Sequence, residues 1–329
     1  MRGVVHEQPA GPAGVRLAMV PDPVPGPGMV RVRVKAAGLN HRDLLQLTGQ
    51  PGRPTPVLGS DGAGVVDAVG EGVRRARIGD DVVINPSLGW ETISASPPPT
   101  FQILGVPRPG TLAEWIVVPE ANVEPKPPHL SWEEAGVLGL AGLTAWRALF
   151  TKGALEAGQT VLIPGIGGGV ATIALLFAKA SGATVAVTSR DPEKRARALA
   201  LGADLALDTD SDWLAQLEDP VDLVVESIGE ATWDRSLLAL KAGGRLVTFG
   251  AHTGSRVLID LRDVYRRQLT VMGTTMGSAE EFRAMLRFVN QHQLRPAIDR
   301  VFRLEEAAQA FRRLEQAAQF GKVGLLVPA

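Results

Sequence analysis

Four glycines, Gly165, Gly167, Gly168 and Gly169, crowd the stretch "PGIGGGVATIA" between a short apolar run and a helical pattern. Bare backbone there can approach a ligand closely, and the amides at the start of the following helix point toward it. A pyrophosphate suits that arrangement. The strict G-x-G-x-x-G spacing fails, because counting from Gly165 puts Val170 at the last glycine position. A G-x-x-G-x-x-A reading through Gly165, Gly168 and Ala171 fits, with Ala171 small enough for helix and strand to pack closely. The expected cofactor contacts at this turn are Gly165, Gly167, Gly168, Gly169 and Val170.

About 20 residues past such a turn, an acid would hold a ribose 2′-hydroxyl, whereas basic and hydroxyl side chains suit a 2′-phosphate. Here the second strand runs into "TSRDPEK", with Ser189 and Arg190 at its tip and Lys194 one turn into the next helix. Asp191 precedes Pro192, an N-cap followed by an N1 proline, so it reads as a helix start and not as a ribose ligand. NADP(H) is the predicted cofactor. The competing reading leaves Arg190 and Lys194 as solvated surface charges.

These residues need a frame, and the alternation of elements supplies one. Apolar runs of strand length occupy residues 160–165, 184–190, 205–208, 221–229, 244–250 and 269–275, separated mostly by helical stretches at 169–181, 191–201, 211–218 and 231–241. Continuous apolar strands alternating with helices predict an α/β, doubly wound Rossmann fold with a parallel six-stranded sheet. The first 125 residues differ: "MVRVRVKAAG", "GVVDAVGEGV", "DDVVINP" and "TLAEWIVVP" read as short strands edged by Gly and Pro. Between them, residues 87–110 are rich in Pro and Ser without a period, predicting a long surface excursion, either a plain solvated loop or a lobe at an active-site mouth or subunit contact. Ser131 and Glu134 have capping-box spacing and open a helical stretch. Near the C-terminus Leu304, Ala307, Ala308, Phe311 and Leu314 recur at helical spacing, as core packing does.

The chain has 329 residues and a net charge of −1, with no long run of one sign, so a nucleic-acid partner is not expected and a small molecule is. Cysteine is absent, which excludes disulfides, thiolate nucleophiles and cysteine-ligated zinc. Residues 160–178 carry no charge and approach the length of a membrane span, but Pro164 and the glycines favour a strand, a turn and a helix. No membrane association is expected. The N-terminal stretch lacks the apolar core of a secretory signal, giving a cytoplasmic expectation.

The order and wording of "AAGLNHRDLL", "VLGSDGAGVVDAVGEGV", "IGDDVVINP", "GTLAEWIVVP", "AGLTAW", the glycine turn with its flanks, and "FGKVGLLV" resemble the medium-chain dehydrogenase/reductase superfamily over nearly the whole chain. The resemblance implies a discontinuous GroES-like catalytic domain, residues 1–125 and 272–329, around a Rossmann domain at 126–271. Zinc members of the family carry metal ligands where this chain has Asn40, Ser60 and Leu140, so the resemblance implies that the catalytic zinc is lost and no metal is expected. Asp61 is then a structural acid behind the abandoned position. Of the five histidines only His41, near Asp43, suggests a metal or proton-transfer role.

By the same resemblance, Asn40 and Ser60 line the catalytic pocket, with Asn40 donating a hydrogen bond to the acceptor oxygen or simply stabilising a turn. Thr144 lies near the nicotinamide or bonds its own helix. Phe249, Gly250 and Ala251 meet the carboxamide, and Lys322 meets the cofactor phosphates or is an ordinary exposed lysine. Leu45 and Pro51 stand where quinone reductases often carry tyrosines, which implies a more apolar pocket, and Tyr265 is expected to pack between domains. The implied function is zinc-independent, NADPH-dependent hydride transfer to a quinone or α,β-unsaturated carbonyl. The alternatives are a zinc-free alcohol dehydrogenase or carbonyl reductase and a non-catalytic NADPH-binding protein. A homodimer paired through the strand "LTVMGTT" is expected.

Overall fold

In "MVRVRVKAAGL" valines alternate with charged residues, so one side of an extended chain is apolar. The computed structural model, which describes residues 1–47, 56–105 and 107–328, makes it an eleven-residue strand with Val30, Val32 and Val34 buried. In chain order, β1 (Arg2–His6) and β2 (Val15–Met19) form an antiparallel pair. There follow β3 (Met29–Leu39), α1 (His41–Leu45), β4 (Asp61–Val69), β5 (Asp81–Ile84), β6 (Ser87–Leu88), β7 (Gln102–Ile103), β8 (Trp115–Pro119), β9 (Val123–Pro125), α2 (Trp132–Gly136) and α3 (Gly139–Trp146).

The alternating half of the chain comes next: β10 (Thr160–Ile163), α4 (Gly169–Ala180), β11 (Thr184–Thr188), α5 (Pro192–Ala200), β12 (Leu205–Leu207), β13 (Val221–Glu226), α6 (Trp233–Ala239), β14 (Leu240–Thr248), α7 (Leu261–Arg266) and β15 (Thr270–Gly273). The chain closes with α8 (Ala279–Gln291), β16 (Ile298–Arg303), α9 (Ala307–Glu315) and β17 (Lys322–Leu326).

Two compact units result, residues 1–143 with 277–329, and residues 144–276. In the first, a seven-stranded sheet runs β16-β17-β3-β4-β5-β9, with β8 also paired to β3. Its core gathers the inward valines of β3, Leu58, Leu112 and Ile116 with Phe302, Leu304, Phe311 and Leu325 from the chain's last stretch. The C-terminal helical spacing is realised as a short 3-10 turn at Leu304–Glu306 running into α9. The join falls at 143/144 where sequence placed it at 125/126, because β9 bonds to β5 and α2 lies against β3 and β4. At the other end residues 272–276 stay with the second unit, since β15 bonds to β14.

The second unit holds the predicted parallel sheet, ordered β12-β11-β10-β13-β14-β15. One expected helix does not form. Residues 211–218 are turns: Asp212 accepts the backbone N–H groups of Leu214 and Ala215, and Trp213 is buried with its Nε1 on the Asp208 and Thr209 carbonyls. Such local side-chain bonds compete with helical ones. The uncharged stretch at 160–178 is β10, a turn and most of α4, and among the described residues no helix is long and apolar enough to cross a membrane.

The excursion at 87–110, of which Val106 lies outside the described residues, is more anchored than a solvated loop. β6 pairs β7, buried Trp90 meets Phe101 edge to face, and the Trp90 carbonyl accepts from Ala279 N at the start of α8. Residues 91–96 are exposed.

The capping box at α2 forms as its spacing predicts, with Glu134 N donating to Ser131 Oγ at 3.2 Å and Ser131 N to Glu134 Oε2 at 2.8 Å. Ser131→Ala is expected to lower the unfolding free energy by about 1 kcal/mol, read as a lower urea midpoint at unchanged m-value.

Candidate functional site

β3 ends at Leu39 and the chain enters α1 with Asn40 as its N-cap. Asp43, three residues on, accepts the Asn40 backbone N–H at 2.8 Å, which closes the first turn. Around this cap lies a buried polar cluster of Asn40, Asp43, Ser60, Asp61 and Lys322. Lys322, the first residue of β17, reaches it because β17 runs antiparallel beside β3. Its Nζ donates to Leu39 O at 2.8 Å, to Asn40 Oδ1 at 2.6 Å and to Asp61 Oδ2 at 2.9 Å. The Asn40 amide in turn donates to Asp61 Oδ2 at 2.9 Å and to Ser60 Oγ at 3.1 Å. Asp61 Oδ1 accepts from Leu140 N at 2.5 Å and so pins the start of α3.

Two expectations change here. Lys322 is 2% exposed and its three N–H donors have three acceptors within the cluster, so it has none to offer the cofactor phosphates. Both Asn40 amide hydrogens are likewise engaged, so Asn40 does not present a donor to an acceptor oxygen. The residues also do not fit a metal ion. The oxygens of Asn40 and Asp61 that could face a cation already face the Lys322 ammonium, and among the described residues no three or more acidic or histidine side chains converge. His41 is exposed at the first turn of α1, while Asp43 is buried and accepts the Asn40 backbone N–H at the cap. Partial desolvation of the imidazole lowers the His41 pKa from its ordinary 6.5. Leu45 is 67% exposed and Pro51 lies outside the described residues, so neither supports the apolar pocket inferred from them.

The second unit builds its site from backbone at the carboxyl ends of parallel strands. β10 runs into the glycine turn and α4 begins with Gly168 as N-cap. Gly165 has φ +71°, and a Cβ there would lie 2.2 Å from Ile228 Cδ1, so the loop after β13 abuts the turn and only glycine fits. Gly168 is exposed and an added Cβ would meet nothing within 4 Å, which leaves open space at the helix N-terminus. That cradle fits a pyrophosphate: Gly167, Gly168, Gly169 and Val170 offer backbone there and no competing side chain except that of Val170.

Thr188, at the end of β11, fixes the turn by accepting Gly165 N on its hydroxyl and Ile166 N on its carbonyl. Beyond it, Ser189 Oγ accepts from Asp191 N, and Asp191 caps α5 through Glu193 N and Lys194 N. Arg195 ties the strand tip down by donating to Ser189 O at 2.6 Å and to Asp208 at 2.9 Å. Arg190 is exposed, and among the described residues its guanidinium makes no hydrogen bond or ion pair, while Lys194 is half-buried in the first turn of α5. Phe249 and Gly250 are half-buried and Ala251 exposed just after β14, with Phe249 N donating to Glu226 O. Thr144 is buried in α3 and falls in the second unit, whereas Asn40 and Ser60 belong to the first.

Sequence reasoning passed over Glu226. Wholly buried at the end of β13, it accepts from Ile228 N, Gly229 N, Thr232 Oγ1 and Ser236 Oγ, and so shapes the loop that closes on Gly165. An acid closing the apolar run at residues 223–225 was the available signal. For the Asn40 cluster the signal was N-x-x-D at 40–43, a helix-start spacing.

Burial pushes the Asp43 carboxyl up to about 6, against the bond from Asn40 N, which favours its charged form. A raised acid binds its proton more tightly folded than unfolded, so the stability tied to it is present below pH 4 and is lost as pH rises through about 6. The difference amounts to about 3 kcal/mol. Asp43→Asn removes this dependence, so its stability relative to wild type is expected to rise by up to that amount between pH 4 and pH 8 in denaturant titrations; a flat difference would contradict it.

Two family models match the chain, the alcohol dehydrogenase GroES-like domain over residues 26–128 and the zinc-binding dehydrogenase over residues 169–291. The zinc-type alcohol dehydrogenase-like protein YogA of Leptosphaeria maculans is 36% identical over 336 residues, 94% of this chain and 93% of its own. The quinone oxidoreductase of Pseudomonas aeruginosa is 32% identical over 320 residues, 92% of each. Among solved structures, an NAD-dependent alcohol dehydrogenase superposes with TM-score 0.91 at 40% identity over the whole of both chains. The 2-octenoyl-CoA carboxylase reductase CinF, solved with NADP and 2-octenoyl-CoA, gives TM-score 0.90 at 28% identity, covering 99% of this chain and 87% of its own. With a GroES-like unit, a six-stranded nucleotide-binding sheet and likeness along almost its entire length, the chain belongs to the medium-chain dehydrogenase/reductase superfamily of oxidoreductases.

Proposed function

We propose that the protein is a zinc-independent oxidoreductase that uses NADPH to reduce a quinone or an α,β-unsaturated carbonyl. The observation that carries this reading is the Lys322 ammonium, which faces the Asn40 and Asp61 oxygens where a catalytic cation would have to sit. When bound, NADPH supplies the hydride. An isolated carbonyl would build a localised alkoxide as hydride arrives and would call for a Lewis acid worth several kcal/mol. A conjugated acceptor takes the hydride at an electron-poor carbon and spreads the displaced electron pair onto its oxygen, as an enolate or hydroquinone anion. Hydrogen-bond donors stabilise that charge and water returns the proton. The solved relative bound to 2-octenoyl-CoA and the quinone oxidoreductase relative both lend support.

The chain's own residues have distinct tasks. The glycine turn at 165–169 and Val170 bind the pyrophosphate, Ser189, Arg190 and Lys194 take the 2′-phosphate, and Phe249, Gly250 and Ala251 border the carboxamide. Thr144 orients the nicotinamide end and Ser60 belongs to the acceptor pocket. A second reading, alcohol dehydrogenase or carbonyl reductase chemistry without zinc and with His41 as the proton-transfer residue, is favoured by the 40% identity to an NAD-dependent alcohol dehydrogenase.

Metal-free protein is expected to oxidise NADPH with quinones or enones and not with simple ketones. Activity confined to ketones or alcohols would favour the second reading, and cofactor binding without turnover a non-catalytic role. In fluorescence titrations Arg190→Ala is expected to weaken NADPH by roughly tenfold or more, the scale of a charge-assisted hydrogen bond, and to leave NADH unchanged. Equal affinity of the wild type for both cofactors would overturn the NADPH assignment.

The proposal includes a homodimer. β15 is the edge of its sheet with Val271 partly exposed, and Leu258, Leu261 and Tyr265 are 89%, 71% and 58% exposed nearby in sequence. Tyr265 is thus on the surface and not packed as expected. Sedimentation at twice the 34.8 kDa chain mass, reduced to the chain mass by Val271→Lys, is the expected outcome.

A further inference from the structure

Glu226 closes β13 with a wholly buried carboxylate, and its four hydrogen-bond partners are neutral donors. A buried charge costs free energy unless hydrogen bonds surround it, so an acid at this end of the sheet calls for a reason. Its two oxygens divide their partners. Oε1 accepts the backbone N–H groups of Ile228 at 2.6 Å and Gly229 at 3.2 Å, whereas Oε2 accepts the hydroxyls of Thr232 at 3.0 Å and Ser236 at 2.5 Å. One oxygen thus holds the loop after β13 and the other holds the start of α6.

In a planar trans peptide the N–H and C=O point opposite ways, so the bonds to Oε1 orient two whole peptide planes. With their N–H groups on Glu226, the carbonyls of Ser227 and Ile228 face away from it and accept His252 N and Thr253 N from the loop after β14. Between them the Ile228 side chain lies against Gly165, where a Cβ would come within 2.2 Å of its Cδ1. We propose that Glu226 is a positioning residue for the nicotinamide dinucleotide: by holding these two peptides it fixes Ile228 against Gly165 and keeps the glycine turn in the shape that receives the pyrophosphate before the cofactor arrives. Backbone ordered in advance spares the ligand the cost of ordering it. Every residue involved lies in the second unit. The inference rests on the proposed function only in taking a nicotinamide dinucleotide as the ligand of this turn.

The test compares Glu226→Leu, Glu226→Gln and Ser236→Ala with wild type in three measurements: melting, fluorescence titration with NADPH and NADH well below each melting temperature, and hydrogen exchange of the Gly165 and Ile166 amides without cofactor. Glu226→Leu removes both oxygens and is expected to weaken the tighter-bound dinucleotide roughly tenfold, the scale of ordering one segment on binding, and to speed exchange at both amides. Glu226→Gln keeps an acceptor for Ile228 N and Gly229 N and turns its amide hydrogens to hydroxyl oxygens that can accept them, so it is expected to bind within about twofold of wild type. Ser236→Ala loses a bond on the helix side alone and is expected to melt lower with affinity and exchange unchanged. Glu226→Asp, which keeps the charge and withdraws its oxygens by one methylene, is expected to behave as Glu226→Leu does and carries the test if that variant does not fold. Unchanged affinity and exchange in these two variants would overturn the proposal, leaving Glu226 a purely structural group. A loss in Glu226→Gln as large as in Glu226→Leu would overturn it too, by showing that charge and not a placed acceptor matters, as would an equal loss in Ser236→Ala, the sign of general loosening. A wild type that reduces no quinone or enone defeats the proposed function while these titrations still decide the role of Glu226; one that binds neither dinucleotide overturns this inference as well.

Discussion

The ion pair between Lys322 and Asp61 is the constraint around which the first unit is arranged. It joins residues 261 apart, at 2.9 Å, with both side chains almost wholly removed from water. Two charges so placed are not a source of stability by themselves, because desolvation offsets their attraction. They are tolerable only when the remaining donors and acceptors are satisfied, and here they are: Leu39 O and Asn40 Oδ1 complete the ammonium, while Asn40 Nδ2 and Leu140 N complete the carboxylate. Removing either partner would strand a buried charge at a cost of about 3–5 kcal/mol. The pair therefore ties the start of β17, across β3, to Asp61 at the start of β4.

The second unit solves its positioning problem by different means. In the order β12-β11-β10-β13-β14-β15 the chain reverses direction of travel across the sheet at β10, and the connections leaving β10 and β13 diverge there. Such a crevice is where open parallel sheets bind ligands. What lines it is mostly backbone, held by bonds that leave the N-terminus of α4 uncovered: Thr188 anchors Gly165 and Ile166, and Glu226 anchors the loop that meets Gly165. A charged side chain at Gly168 would compete with any anion for that helix end; glycine leaves it to the ligand.

The features legible in the sequence were those whose causes lie within a few residues. The Asp191–Pro192 helix start, the Ser131–Glu134 box and the glycine turn involve near neighbours, and each sits where its spacing placed it. Six parallel strands were legible because burial on both faces makes them continuously apolar. The partner of Lys322 was not, since nothing near "FGKVGLLV" signals an acid 261 residues earlier, and a lysine in a glycine-rich strand reads as surface. Residues 211–218 misled for the opposite reason. Their apolar spacing suits a helix, but Asp212 and Ser211 bond locally and Trp213 is drawn into the core, so turns prevail.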